Sequence, residues 1–142
     1  MKITQLSLFV ENRPGTLNDV CRTLKEHNIN ISTLSLADTQ NFGILRLLVK
    51  EHQRAKTVLE QNGFVVKTTE VLAIPVANCP GGLAQLLDTL KDCQVEYMYA
   101  FASEVHDRAV MVFRFADPDQ ALAVLKAAHS DIVQEAELFT FA

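Results

Sequence analysis

The 142-residue sequence has no tryptophan, only two tyrosines and three cysteines. The thiols, Cys21, Cys79 and Cys93, are odd in number and stand at no metal-ligand spacing, so neither a disulfide framework nor a thiolate metal site is expected. Positive charge is also short: 13 Lys and Arg against 17 Asp and Glu give a formal charge of −4, with the basic residues scattered. A groove for nucleic acid needs a basic stripe, so no nucleic-acid partner is expected. No apolar stretch approaches the roughly 18 residues of a membrane-spanning helix, which argues against a membrane partner. The opening MKITQLSLFVEN carries polar Gln5 and Ser7 inside its apolar run and reads as a strand, not an export signal. A cytoplasmic protein with reduced thiols is the economical expectation.

What the chain does have is a repeat. ENRPGTL, from Glu11 to Leu17, follows an apolar run and precedes a helical pattern; ANCPGGL, from Ala77 to Leu83, does the same. The shared skeleton is Asn-x-Pro-Gly-x-Leu, and Gly15 and Gly81 stand 66 residues apart. Leu17, Val20, Cys21 and Leu24 form one apolar helical face, and Leu83, Leu86, Leu87 and Leu90 repeat it at the same offset. Upstream, Leu6, Leu8 and Val10 alternate as in a strand and match Leu72, Ile74 and Val76. Downstream, Leu45, Leu47 and Val49 match Met111, Phe113 and Phe115, while Ala55, Val58 and Leu59 match Ala121, Val124 and Leu125. Chance does not hold a register over two helices and four strands, so the chain is a tandem duplication.

Each unit then reads strand, helix, strand, strand, helix, strand. The expected elements are 2–10, 16–27, 29–37, 42–50, 52–62 and 64–70, then 71–77, 82–93, 95–103, 109–115, 118–128 and 132–140. Turns are expected at 39–43 and 106–108. The fold class is α+β: two ferredoxin-like βαββαβ units, 1–70 and 71–142, each an antiparallel sheet with helices on one face. Ile44, Arg46 and Leu48, and Val110, Val112 and Arg114, should point away from the helices. That second face is largely apolar, and a unit of about 70 residues rarely gains more than about 3–5 kcal/mol from its core alone. The halves, or two whole chains as a homodimer, are expected to cover each other and to behave as one rigid body. Pro75 falls inside a central strand, where a missing N–H costs a ladder bond, so a bulge or one-sided pairing is expected there. Tyr97, Tyr99 and Phe101 line one face, as stacked core aromatics or as a ligand or partner surface.

The Pro-Gly turns carry the chemistry. Proline presets the backbone at a helix start, and glycine turns sharply without a Cβ in the way. The first helical N–H groups have no internal partner and carry the positive end of the dipole, which suits a small carboxylate. Asn12 or Asn78 can offer a side-chain oxygen to an ammonium. Together these are handles for a free amino acid. The alternative is that each Pro-Gly merely starts a helix.

The Asn-x-Pro-Gly-x-Leu turn, with the Asn28-Ile29-Asn30-Ile31 stretch opening the second strand of such a unit, resembles the ACT domain, twice over the chain. The resemblance implies a sensor of small molecules, usually amino acids, that regulates a metabolic enzyme or transcription. It places the ligand near a domain interface at Asn12, Pro14, Gly15, Thr16 and Leu17, with Asn30 and Ile31 from the second strand. In the second repeat the corresponding set is Asn78, Pro80, Gly81, Gly82 and Leu83. The regulated partner is then a separate enzyme or regulator.

No catalytic residue, metal or cofactor is expected. His27, His52, His106 and His129 fall at helix ends and turns without a catalytic companion, and Cys79 has Arg13, not a second thiol, as its counterpart. A ligand-free interaction module docking through its sheet faces is the competing reading. Between the two turns, Thr16 and Asp19 form a capping-box-like pair that would occupy the amides of the first helix. Gly82 and Gln85 would leave those of the second open, making it the better carboxylate site, where Gly82→Asp should repel the ligand carboxylate with the ligand-free fold barely altered.

Overall fold

Alternation puts Leu6, Leu8 and Val10 on one side of the first strand, and all three are buried. The computed structural model describes residues 1–38 and 41–139. In chain order it contains β1 (Ile3–Glu11), α1 (Thr16–Glu26), β2 (Thr33–Asp38), β3 (Phe42–Leu48), α2 (His52–Gln61), β4 (Val66–Val76), α3 (Gly82–Thr89), β5 (Val95–Ala100), β6 (Ala109–Phe115), α4 (Pro118–Ala127) and α5 (Glu135–Leu138). Two compact units result. One spans Thr4–Thr69; the other combines Met1–Ile3 with the chain from Glu70 onward. Strand β4 crosses the boundary, because the strands expected at 64–70 and 71–77 are a single element.

In the N-terminal unit the order is β2-β3-β1, all antiparallel. Its core joins Leu6, Leu8, Leu45 and Leu47 of the sheet to Val20, Leu24, Val58 and Leu59 of the two helices, as the apolar periods require. Val66 joins the same core, and the Lys67 ammonium sits 5.5 Å above the Phe9 ring on the opposite face. Strand β2 begins at Thr33, later than expected. Asn28 takes a left-handed φ of 56°, and the Ile29 N–H returns to the Leu24 carbonyl at 2.9 Å, so helix-capping geometry consumes the residues read as strand. The turn expected at 39–43 includes Thr39 and Gln40, which lie outside the described residues.

In the second unit the order is β4-β6-β5. Leu72, Ile74, Phe113 and Phe115 pack with Leu90, Ala121 and Leu125 on the helix side. The stacked rings here are Phe113 and Phe115, 5.4 Å apart; Tyr97 and Tyr99 are half-buried on the other face, opposite Arg114 and Val112. Pro75 keeps register with Val110 without a bulge. Val110 turns its carbonyl to the Phe101 N–H at 2.9 Å, so at this pair the hydrogen-bonding groups face away from one another and proline costs nothing on the β6 side.

The strand expected at 132–140 is the main correction. Among the described residues it survives as one bridge, Val133 to Ala73, closed by a 2.8 Å bond. The chain then enters α5 through a capping box in which the Glu137 carboxylate accepts the Gln134 N–H at 2.9 Å. Good helix formers after that cap overrule the strand pattern, and Leu138 and Phe139 are buried consecutively, which strand alternation forbids. Thr140 lies outside the described residues. The 106–108 turn is present, with left-handed His106 and Asp107 closed by a Val105–Arg108 bridge.

Candidate functional site

Both Pro-Gly turns are built alike. Gly15 and Gly81 hold φ at 92° and 86°, the left-handed region that favours glycine, and each is the N-cap of its helix. Their carbonyls accept the first helical bonds, from the N–H of Asp19 at 3.0 Å and of Gln85 at 2.9 Å. One step earlier the Arg13 N–H bonds the Glu11 carbonyl at 2.9 Å, and the Cys79 N–H bonds Ala77 at 3.0 Å.

The capping expected of Thr16 does not occur. Glycine already holds the cap position and leaves no side-chain cap bond, so Thr16 is the first helical residue. Its hydroxyl donates backward to the Arg13 carbonyl at 3.2 Å, and Asp19 faces Arg22 at 3.6 Å. In the second turn the Gly82 backbone N–H makes the equivalent bond, to the Cys79 carbonyl at 3.0 Å. That turn is pressed against its strand: a Cβ on Gly82 would lie 1.9 Å from the Ala77 oxygen. The expectation that Gly82→Asp would spare the ligand-free fold is therefore overturned.

Each turn borders a cleft. The first, of about 70 Å³, is lined by Val10, Glu11, Asn12, Arg13, Thr16, Leu17, Leu36, Asp38 and Gly43. The sheet register explains its floor: Asp38, Gly43 and Val10 form one row across β2, β3 and β1, and the Leu36 and Val10 side chains close over Gly43. Arg13 pairs with Glu11 at 3.0 Å, both largely exposed, so the pair adds little stability and its members can rearrange toward a ligand. The second cleft, of about 440 Å³, is lined by Val76, Ala77, Asn78, Cys79, Pro80, Leu83, Ala109 and Met111, none of them charged.

Of the residues expected at the site, Asn12, Thr16 and Leu17 line the first cleft, and Asn78, Pro80 and Leu83 the second. Pro14, Gly15 and Gly81 shape the turns without lining a cleft, and Gly82 is buried. Asn30 and Ile31 precede β2 and line neither; Ile31 packs on the core instead. The second strand does contribute, but through Leu36 and Asp38. Their alternation on β2 was readable, whereas their meeting with Gly43 depends on strand register, which local sequence does not carry.

The sequence as a whole matches the family model described as an ACT domain pair, over residues 1–142. The chain belongs to the ACT domain pair family. No curated protein matches it significantly. Among solved structures it is similar to protein BT0572 of Bacteroides thetaiotaomicron, at 37% identity and a TM-score of 0.91, covering 99% of this chain and 98% of that one. The regulatory subunit of aspartate kinase from Thermus thermophilus follows at 20% identity and a TM-score of 0.65, covering 89% and 90%. That from Thermus flavus is 18% identical with a TM-score of 0.62, again covering 89% and 90%. At these identities the two aspartate kinase subunits share the fold.

Within this ACT pair the repeats have diverged at equivalent positions. Glu11, Arg13 and Gly43 of the first become Ala77, Cys79 and Ala109 of the second, all lining their respective clefts. The first ACT repeat keeps charge along its cleft; the second keeps an uncharged surface. Among the described residues, no group of three or more His, Cys, Asp or Glu could hold a metal ion. Nor, among the described residues, is any helix long and apolar enough to cross a membrane.

Proposed function

We propose that this ACT pair is a non-catalytic regulatory protein that binds a free amino acid in the cleft of its first repeat. One observation carries the reading: the cleft gathers groups of both signs around an apolar floor, at the open start of a helix. The N–H groups of Leu17 and Asn18 at the start of α1, with Arg13 beside them, suit the ligand carboxylate. The Asn12 oxygen and the Asp38 carboxylate suit its ammonium. Asn78 and its neighbours in the second repeat keep the same turn, but their cleft offers no charged side chain to either end of a zwitterion. The output acts on a separate metabolic enzyme or regulator, and the expected assembly is a homodimer.

The test is a thermal-shift screen against the twenty amino acids, followed by calorimetry on the hits. A ligand present at about a hundred times its dissociation constant stabilises the fold by about 2.7 kcal/mol. A second reading, a docking module without a metabolite, draws on Leu34 and Leu36 of the edge strand β2, 48% and 49% exposed, and on Phe42, 51% exposed. No stabilisation by any amino acid would favour that reading.

A further inference from the structure

We infer that the first-repeat cleft selects amino acids with small, neutral side chains, and that Gly43 sets its size limit. The inference rests on the amino-acid reading above and names the class of ligand.

Size comes first. An apolar cavity of about 150 Å³ accommodates benzene. The cleft here measures about 70 Å³, so once the charged ends of a ligand occupy its rim, about one to three side-chain heavy atoms fit its floor. That admits alanine, serine, cysteine, threonine and valine and turns away leucine, the aromatics and the long basic residues.

The floor shows what holds this limit. Gly43 stands between Asp38 and Val10 in a row across three strands. A Cβ at Gly43 would come within 3.0 Å of the Leu36 Cδ1 and 3.2 Å of the Val10 Cγ2. Both contacts are with side-chain ends: half-exposed Leu36 can swing, whereas Val10 is only 5% exposed and must give by a few tenths of an ångström. A methyl group at this position therefore fits at a small cost in stability and takes up room on the cleft floor, which both neighbours line. The duplication supports the tolerance, since Ala109 occupies the same place in the second repeat and lines its cleft.

Charge removes a further class. Glu11 and Asp38 border the cleft, and Glu11 already holds Arg13 at 3.0 Å. An acidic side chain would bring a second negative charge against these two carboxylates, whereas its neutral isostere would not. Aspartate and asparagine have the same shape and exceed the size limit equally, by one heavy atom, so their ratio isolates charge from size.

The experiment is isothermal titration of the full chain with glycine, alanine, valine, leucine, aspartate and asparagine, repeated on Gly43→Ala and Asp38→Asn. Alanine or valine should bind at least tenfold more tightly than leucine, and asparagine at least tenfold more tightly than aspartate. Gly43→Ala should weaken valine at least tenfold and glycine less than threefold, with at most a small fall in melting temperature. Asp38→Asn should narrow the asparagine-to-aspartate ratio. If amino acids bind but leucine or aspartate is preferred, or Gly43→Ala leaves the size order untouched, the selectivity argument falls and the amino-acid reading stands. If none of the twenty amino acids binds, both fall together. The wild-type ranking alone is decisive should either variant fail to fold.

Discussion

A Cβ placed on Gly82 would lie 1.9 Å from the carbonyl oxygen of Ala77, five residues earlier in the same turn. No rotamer relieves this contact, because the backbone fixes the Cβ and the oxygen is itself backbone. At the matching position of the first repeat Thr16 carries a full side chain. Gly82→Ala should therefore destabilise the protein by about 2 kcal/mol or more, while Thr16→Ala stays within about 0.5 kcal/mol. Urea unfolding of both variants checks this, and equal losses would refute the difference between the turns.

The three thiols should separate cleanly. Cys21 and Cys79 are exposed, whereas Cys93 is buried in the second core, which also holds Leu90 and Phe113. Burial, followed by the nearby Asp92 and Asp117 charges, raises the Cys93 pKa above its ordinary 9.0 and keeps it a protonated, poorly nucleophilic thiol. A thiol reagent at neutral pH should label two residues in the native protein and the third only on denaturation. Rapid native labelling of Cys93 would contradict the packing.

How far the residues announced this fold can be followed along the chain. The 66-residue offset placed Leu6, Leu8 and Val10, the two helical faces and the Pro-Gly turns, because each depends on local periodicity alone. Gln134 and Glu137 form an equally local signal, but the duplicated pattern places Leu138 and Phe139 in a strand and hides the capping box. The same pattern places Asn30 and Ile31 in a strand that the left-handed Asn28 delays. The row of Asp38, Gly43 and Val10 could not be read, because register brings Val10 beside Gly43, 43 − 10 = 33 positions away, through backbone hydrogen bonds rather than through any local signal.

Lys2 bears a testable pH signature. Its ammonium lies 2.8 Å from Asp119 and 3.3 Å from Glu70, and these partners, Asp119 first, raise its pKa above 10.5. A raised folded pKa means the charged amine favours the native state. The contribution is complete below 10.5 and is lost as pH climbs through the higher folded value. Lys2→Gln should therefore show a stability deficit that is constant across neutral pH and closes in strong alkali. A deficit that persisted undiminished in strong alkali would reverse the assignment.

The same N-terminal residues argue that the second half does not fold as a simple fragment. Met1–Ile3 belong to its compact unit, and Ile3 is only 1% exposed. Burying one such side chain is worth about 1.5–3 kcal/mol, comparable to the whole core surplus of about 3–5 kcal/mol available to a unit this small. A fragment of residues 71–142 also lacks Glu70 and the first half of β4. It should give a broad, non-cooperative thermal transition. A sharp transition with dispersed amide resonances from a monomer would overturn the argument.

Ligand stoichiometry tests whether the two repeats have divided their roles. Charge lines the first cleft through Glu11, Arg13 and Asp38, while the second, with Ala77 and Cys79 at the first two of these places, has none. Titration with a binding amino acid should therefore give one site per chain. Arg13→Gln should weaken it about three- to tenfold, less than a buried charge-assisted bond would lose, because Arg13 is 71% exposed in the free protein. Cys79→Ser, at the equivalent place in the second repeat, should leave affinity unchanged. Two equivalent sites per chain, or a loss from Cys79→Ser matching that from Arg13→Gln, would mean that the shared Pro-Gly turn carries recognition and that the charge lost from the second repeat does not matter.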